Sequence, residues 1–208
     1  MKNIKQEISV CLQLLLSIGI WIAILIITKT ELRINIDALK KLPDVITIYI
    51  ALNFVFTKWL WRWSILQGWL VPFPDLQGTW RGEWQTTWVD PKTKKVPTPT
   101  PLVLVIKQSF YTLSCVMYTE ESTSISNAAL IAGDEESGIK KLSYNYTNKP
   151  DATIRDRSIV HDGAAILSII VKPKRELEGE YWTSRKSSGT IKVKFESKEL
   201  VEKFTKSK

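Results

Sequence analysis

The 208-residue chain carries 29 lysines and arginines against 21 acidic residues, and its 44% hydrophobic content is unevenly distributed. That length accommodates one domain of ordinary size beside a membrane anchor. Two cysteines and one histidine argue against a disulfide framework, a zinc cluster or a conventional catalytic triad, and they fit reducing surroundings. The excess charge is spread out: eight basic against five acidic residues through Asp75, and 21 against 16 beyond it. No arginine-rich run stands out, so the charge fits a solubilising surface as well as a preference for an anionic lipid or ligand, and no DNA or RNA polymer is expected as a partner.

After the charged residues Met1–Glu7, Ile8 to Thr28 runs for 21 residues without a charge, long enough to cross a bilayer as a helix. It is longer than a usual signal-peptide core, and no small-residue cleavage site follows, so a retained anchor is expected. A second apolar segment, Val45 to Thr57, follows Leu42-Pro43-Asp44 and is interrupted by Lys58. Leu42 and Trp59–Trp63 lengthen it, Lys58 and Arg62 can snorkel, and Trp59, Trp61, Trp63 and Trp69 can form an interfacial belt. A second transmembrane helix is therefore expected from Leu42 to Trp61. Two spans put both termini on one side, the cytoplasm if the thiols are reduced, so the expected placement is multi-pass in a membrane with the soluble domain in the cytoplasm. The expected division is an anchor over residues 1–71 and a soluble domain over residues 72–208.

The change of character falls in PFPDLQGTWRGEWQTTW, Pro72 to Trp88. Extended geometry puts Leu76, Gly78, Trp80, Gly82, Trp84, Thr86 and Trp88 on one face and polar side chains on the other. Glycine alternating with tryptophan on one face fits a strongly bent strand that a neighbouring backbone approaches closely. A proline-rich loop, Asp90 to Pro101, follows. Strands are then expected over Leu102–Gln108, Phe110–Thr119, Thr123–Ile131, Ile139–Thr147, Ser158–Val171, Leu177–Arg185 and Thr190–Phe195. A turn over Gly133–Gly138 separates the fourth strand from the fifth. Ser197 opens an expected amphipathic helix through Phe204. The predicted fold is membrane-anchored all-β: two transmembrane helices, a roughly eight-stranded antiparallel, lipocalin-like β-barrel and a short C-terminal helix.

The sequence holds no phosphate-gripping glycine loop, nucleophile elbow or metal-ligand cluster, so binding is expected rather than catalysis, with no cofactor and no metal. Candidate ligand residues share the presumed inner face: Trp80 and Trp84 on the first strand, Tyr144 and Tyr146 on the fifth, Tyr181, Thr183 and Arg185 on the seventh. Aromatic planes can stack on nucleobases and an arginine can grip phosphate bidentately, so the set suits a nucleotide. Each also has a plainer role: tyrosines as core with wet hydroxyls, Arg185 as a rim charge, His161 as a strand residue bonded to its neighbour.

The two apolar segments together with DLQGTWRGEW, YNYTNKP, HDGAAILSI and LEGEYWTSRKSSGTIKVKF resemble the two-transmembrane, β-barrel effectors of bacterial cyclic-oligonucleotide anti-phage defence (CBASS). The Gly-x-Trp of the first strand also resembles lipocalins, which lack two leading membrane helices. The effector resemblance implies a cytosolic barrel that binds a cyclic dinucleotide made by a partner nucleotidyltransferase. It further implies homo-oligomeric assembly in the inner membrane and membrane disruption that ends the infection. It places Trp80, Trp84, Tyr181 and Arg185 in matching motifs. Two other readings stay open: a tethered barrel carrying a lipid or other apolar molecule, and a tightly filled structural module that binds a protein partner.

Overall fold

The computed structural model describes residues 2–68, 70–91, 93–133 and 138–205, and only the backbone of residues 2–10. It forms two units, Met1–Pro74 and Asp75–Lys208.

In the first unit α1 spans Lys2–Ile27, a single helical turn α2 spans Ile36–Leu39, and α3 spans Leu42–Lys58. Lys29, at φ 52°, takes the left-handed conformation that closes α1, with Thr30 N donating to the Leu25 carbonyl at 2.9 Å. Asn35 caps α2 by accepting from Ala38 N at 2.8 Å. Ile20, Ile24 and Val45 form a small core against which Trp21 and Tyr49 pack, and the Trp21 indole donates to the Ala38 carbonyl at 3.1 Å.

The two membrane spans expected over Ile8–Thr28 and Leu42–Trp61 are corrected here. Among the described residues no helix is long and apolar enough to cross a membrane. The first expected span begins with Ile8–Val10, whose side chains lie outside the described ones, and the apolar stretch from Cys11 to Ile27 is 17 residues. The second is cut short at Lys58, after which the chain breaks into isolated 3₁₀ turns, Leu60–Arg62 and Ser64–Leu66. A span needs about 20 residues, and the 17 of α3 rise only about 26 Å. The multi-pass inner-membrane placement falls with the spans. Trp69 of the expected aromatic belt lies outside the described residues.

The second unit is the barrel that the turn spacing predicts. Its strands are β1 Gly78–Thr86, β2 Thr100–Gln108, β3 Leu113–Tyr118, β4 Ser122–Gly133, β5 Lys140–Pro150, β6 His161–Ile170, β7 Glu176–Thr183 and β8 Ser188–Ser197. Each pairs antiparallel with the next and β8 returns to β1, closing the sheet and leaving no free edge. Alternation sorts the faces: on β5 Leu142, Tyr144, Tyr146 and Asn148 are buried while Lys141, Asn145 and Lys149 are exposed. The glycine in the middle of β1 is required where the sheet closes. A Cβ on Gly82 would lie 2.0 Å from the Lys192 carbonyl oxygen, so β8 passes nearer than any side chain permits. Most of the turn expected over Gly133–Gly138 falls on residues 134–137, outside the described ones.

One end of the barrel is plugged. Trp80 is fully buried, donates its indole N–H to the Leu76 carbonyl at 2.9 Å, and meets Phe195 edge-on at 5.3 Å. The Arg175 guanidinium lies 4.0 Å from the Phe195 ring centroid and 5.3 Å from that of Trp80, and it donates to the Asp75 carbonyl at 2.6 Å. Cys115 belongs to the same apolar core; burial pushes its thiol up to about 12, so it stays protonated and inert at neutral pH.

The C-terminal helix expected from Ser197 to Phe204 does not form among the described residues. β8 continues to Ser197, and the segment beyond it is strapped across β1. Thr79 Oγ1 donates to the Glu199 carbonyl at 2.5 Å, and the Arg81 guanidinium donates to the Thr205 carbonyl and to Glu196. An isolated helix of that length is marginal, and these backbone partners lie in extended reach.

Candidate ligand cavity at the open end of the barrel

At the end of β1 away from Trp80 the barrel holds a cavity of about 630 Å³, within the range of small-molecule sites, about 300–1,000 Å³. The last residues of β1, β3, β5 and β7, the first of β2, β4, β6 and β8, and the loops between them build its wall. The tightly filled module expected as an alternative is not what folds. A second depression of about 580 Å³ lies on the outer wall over Arg81, Lys192 and Lys194, beneath the strapped tail. It lacks the enclosing aromatic walls of the interior cavity.

Five of the seven sequence-predicted residues come together here: Trp84, Tyr146, Tyr181, Thr183 and Arg185 all line the cavity. Trp84 and Tyr181 stand edge to face, ring centroids 5.8 Å apart, and the Trp84 indole nitrogen is buried with no partner among the described residues. Tyr146 has room because its neighbour on β6 is Gly163, where a Cβ would fall 2.6 Å from the phenol ring. Burial raises the Tyr146 and Tyr181 hydroxyls above the ordinary tyrosine value, so both remain neutral and can donate or accept. Trp80 and Tyr144 do not reach the cavity. Trp80 plugs the far end, and Tyr144 lies one step deeper on β5 than Tyr146, its hydroxyl buried and without a partner among the described residues.

The cavity rim carries two guanidinium groups. Arg185 donates from Nη1 to Ser158 Oγ at 2.8 Å, and Arg157 pairs with Glu121 across the mouth. Arg157 sits in the β5–β6 connection, where nothing in the strand pattern marks it. A polar row crosses the wall at the mouth: Ser124 of β4 pairs with Asn148 of β5, which pairs with His161 of β6. Ser124 Oγ donates to Asn148 Oδ1 at 2.9 Å, and the His161 ring contacts the Ile159 carbonyl through Nδ1 at 2.8 Å. The fifth strand expected over Ile139–Thr147 ends one residue before Asn148, whereas β5 runs to Pro150; in-phase alternation after Tyr144 and Tyr146 is the signal for an inward Asn148. The site thus combines aromatic walls, neutral polar groups, Arg185 and the Arg157–Glu121 pair beside Glu120 at its rim, and the described residues contain no group of acidic, histidine or cysteine side chains that could hold a metal.

A family model described as the Cap15 cyclic dinucleotide receptor domain matches residues 71–195, the stretch that supplies the whole cavity wall. The CD-NTase-associated protein 15 of Escherichia albertii is 25% identical over 148 residues, 71% of this chain and 73% of that relative.

Proposed function

This chain belongs to the Cap15 cyclic dinucleotide receptor family, and from that premise we propose that its barrel binds a cyclic dinucleotide in the cavity at the open end. The protein is a CBASS effector that senses such a nucleotide. The observation that carries the placement is the meeting of Trp84, Tyr146 and Tyr181 with Arg185 and Thr183 around one cavity. The aromatic residues offer faces and edges to the two bases, and Arg185, with the Thr183 hydroxyl beside it, grips a phosphodiester. Trp80 and Tyr144 shape the barrel below without touching the ligand. A lipid carrier is disfavoured, because a mouth lined by Arg185, the Arg157–Glu121 pair and the Thr183 hydroxyl suits a charged, polar ligand better than an acyl chain.

The fuller proposal is that a partner nucleotidyltransferase supplies the nucleotide, and that the bound protein self-associates and disturbs a bilayer. Its support is the exposed apolar surface of the helical unit, with Leu14, Leu15, Ile18 and Ile26 on α1 and Ile46, Ile50 and Phe54 on α3 open to solvent. Ligand can drive assembly only by binding the assembled state more tightly than the resting one. Sedimentation of the full chain with and without a cyclic dinucleotide should show a larger species only with nucleotide, accompanied by dye release from vesicles. An unchanged sedimentation coefficient at saturating ligand would contradict ligand-driven assembly.

A further inference from the structure

The polar row at the cavity mouth suits a task that the aromatic residues and arginines do not perform. Asn148 is 8% exposed and Ser124 2%, yet both line the cavity. A carboxamide buried to that degree is costly unless its hydrogen-bonding groups are satisfied. Its oxygen is taken by the Ser124 hydroxyl, and no acceptor among the described residues takes its two amide hydrogens. The hydrogen bond also fixes the plane of the amide, so the free N–H groups have a set direction. Beside it, His161 lines the same wall with Nδ1 against the Ile159 carbonyl. The carbonyl can only accept, so Nδ1 carries a proton, which makes Nε2 the acceptor in the Nδ1–H tautomer. Neighbouring strands therefore offer a donor and an acceptor side by side, the pattern that matches a nucleobase edge, where an acceptor and a donor are also adjacent.

We propose that Asn148, held by Ser124 and flanked by His161, reads a nucleobase edge in the cavity and so decides which cyclic dinucleotide the barrel prefers. The inference rests on the nucleotide-binding reading above. Phosphates are common to every cyclic dinucleotide, so Arg185 contributes affinity to all of them alike. Stacking tolerates every base as well. A directed donor on a buried side chain discriminates, because a base without an acceptor at that point leaves the amide unpaired.

The test is titration of the purified full chain with a panel of cyclic dinucleotides differing only in their bases, for wild type, Asn148→Ala, Ser124→Ala and Arg185→Ala. Asn148→Ala should shrink the ratio between the best and second-best ligand by roughly tenfold, and Ser124→Ala, which frees the amide to turn, should shrink it less. Arg185→Ala should weaken every ligand by a similar factor and leave the ratio unchanged. Thermal melts establish that the variants fold, and Ser124→Ala tests the same point should Asn148→Ala be unstable. A uniform loss with Asn148→Ala and Ser124→Ala would overturn the assignment of Asn148 while leaving nucleotide binding intact. Absence of binding by wild type to any member of the panel would overturn both.

Discussion

Trp80→Ala should destabilise the barrel by about 3–5 kcal/mol, the range for truncating a fully buried tryptophan, and lower its melting temperature by roughly 10 °C or more. The ring fills the closed end, and its removal takes one ring contact each from Phe195 and the Arg175 guanidinium. The indole hydrogen bond to the Leu76 carbonyl is lost as well, in a site water does not reach. Trp84→Ala, on the same face of the same strand, should cost less stability because that ring is only partly buried, and should instead weaken nucleotide binding. Chemical unfolding of both variants checks the contrast. Equal destabilisation with unchanged ligand affinity would remove the division of labour between the two tryptophans.

Arg185→Ala should weaken binding of a cyclic dinucleotide by roughly tenfold, the lower part of the range for a hydrogen bond to a charged group, while leaving the melting temperature of the free protein unchanged. Arg185 is exposed and among the described residues its side chain bonds the Ser158 hydroxyl, so the fold loses little when it goes. Exposure also screens its attraction for phosphate, and the difference from wild type should narrow as salt rises and the Debye length falls. Calorimetric titration at low and high salt measures both effects. An affinity loss that is insensitive to salt would mean that Arg185 acts through packing rather than charge.

The barrel was legible in the sequence because its signals are local. Turn residues recur at short intervals, and period-two alternation marks the inner face of β5 and β7 without any long-range information. Gly82 likewise announces the close approach of β8. Depth along the barrel was not legible. Trp80 and Trp84 share a face, but four residues of strand separate them by about 13 Å, enough to put one in the plug and the other in the ligand cavity. Tyr144 and Tyr146 divide in the same way between core and wall. Arg157 escaped notice because it lies in a connection, where the chain's path and not its pattern brings a side chain to the mouth. The tail after Ser197 carries a helical pattern, but the hydrogen bonds it makes to Thr79 and Arg81 are non-local and override it. The expected membrane spans rest on apolar length, extended in the second by a tryptophan belt and snorkelling Lys58 and Arg62, and the structure ends α3 at Lys58, where 3₁₀ turns take over.

The most direct test of a nucleotide receptor is thermal denaturation of the full chain against cyclic dinucleotides, their linear counterparts and a set of lipids. A ligand that binds only the folded state stabilises it by mass action, by about 2.7 kcal/mol at a concentration one hundred times its Kd. A dose-dependent rise in the barrel's melting temperature is expected with at least one cyclic dinucleotide, reduced in Arg185→Ala and absent with lipids. A rise with lipids alone, or none with any cyclic dinucleotide, would contradict it.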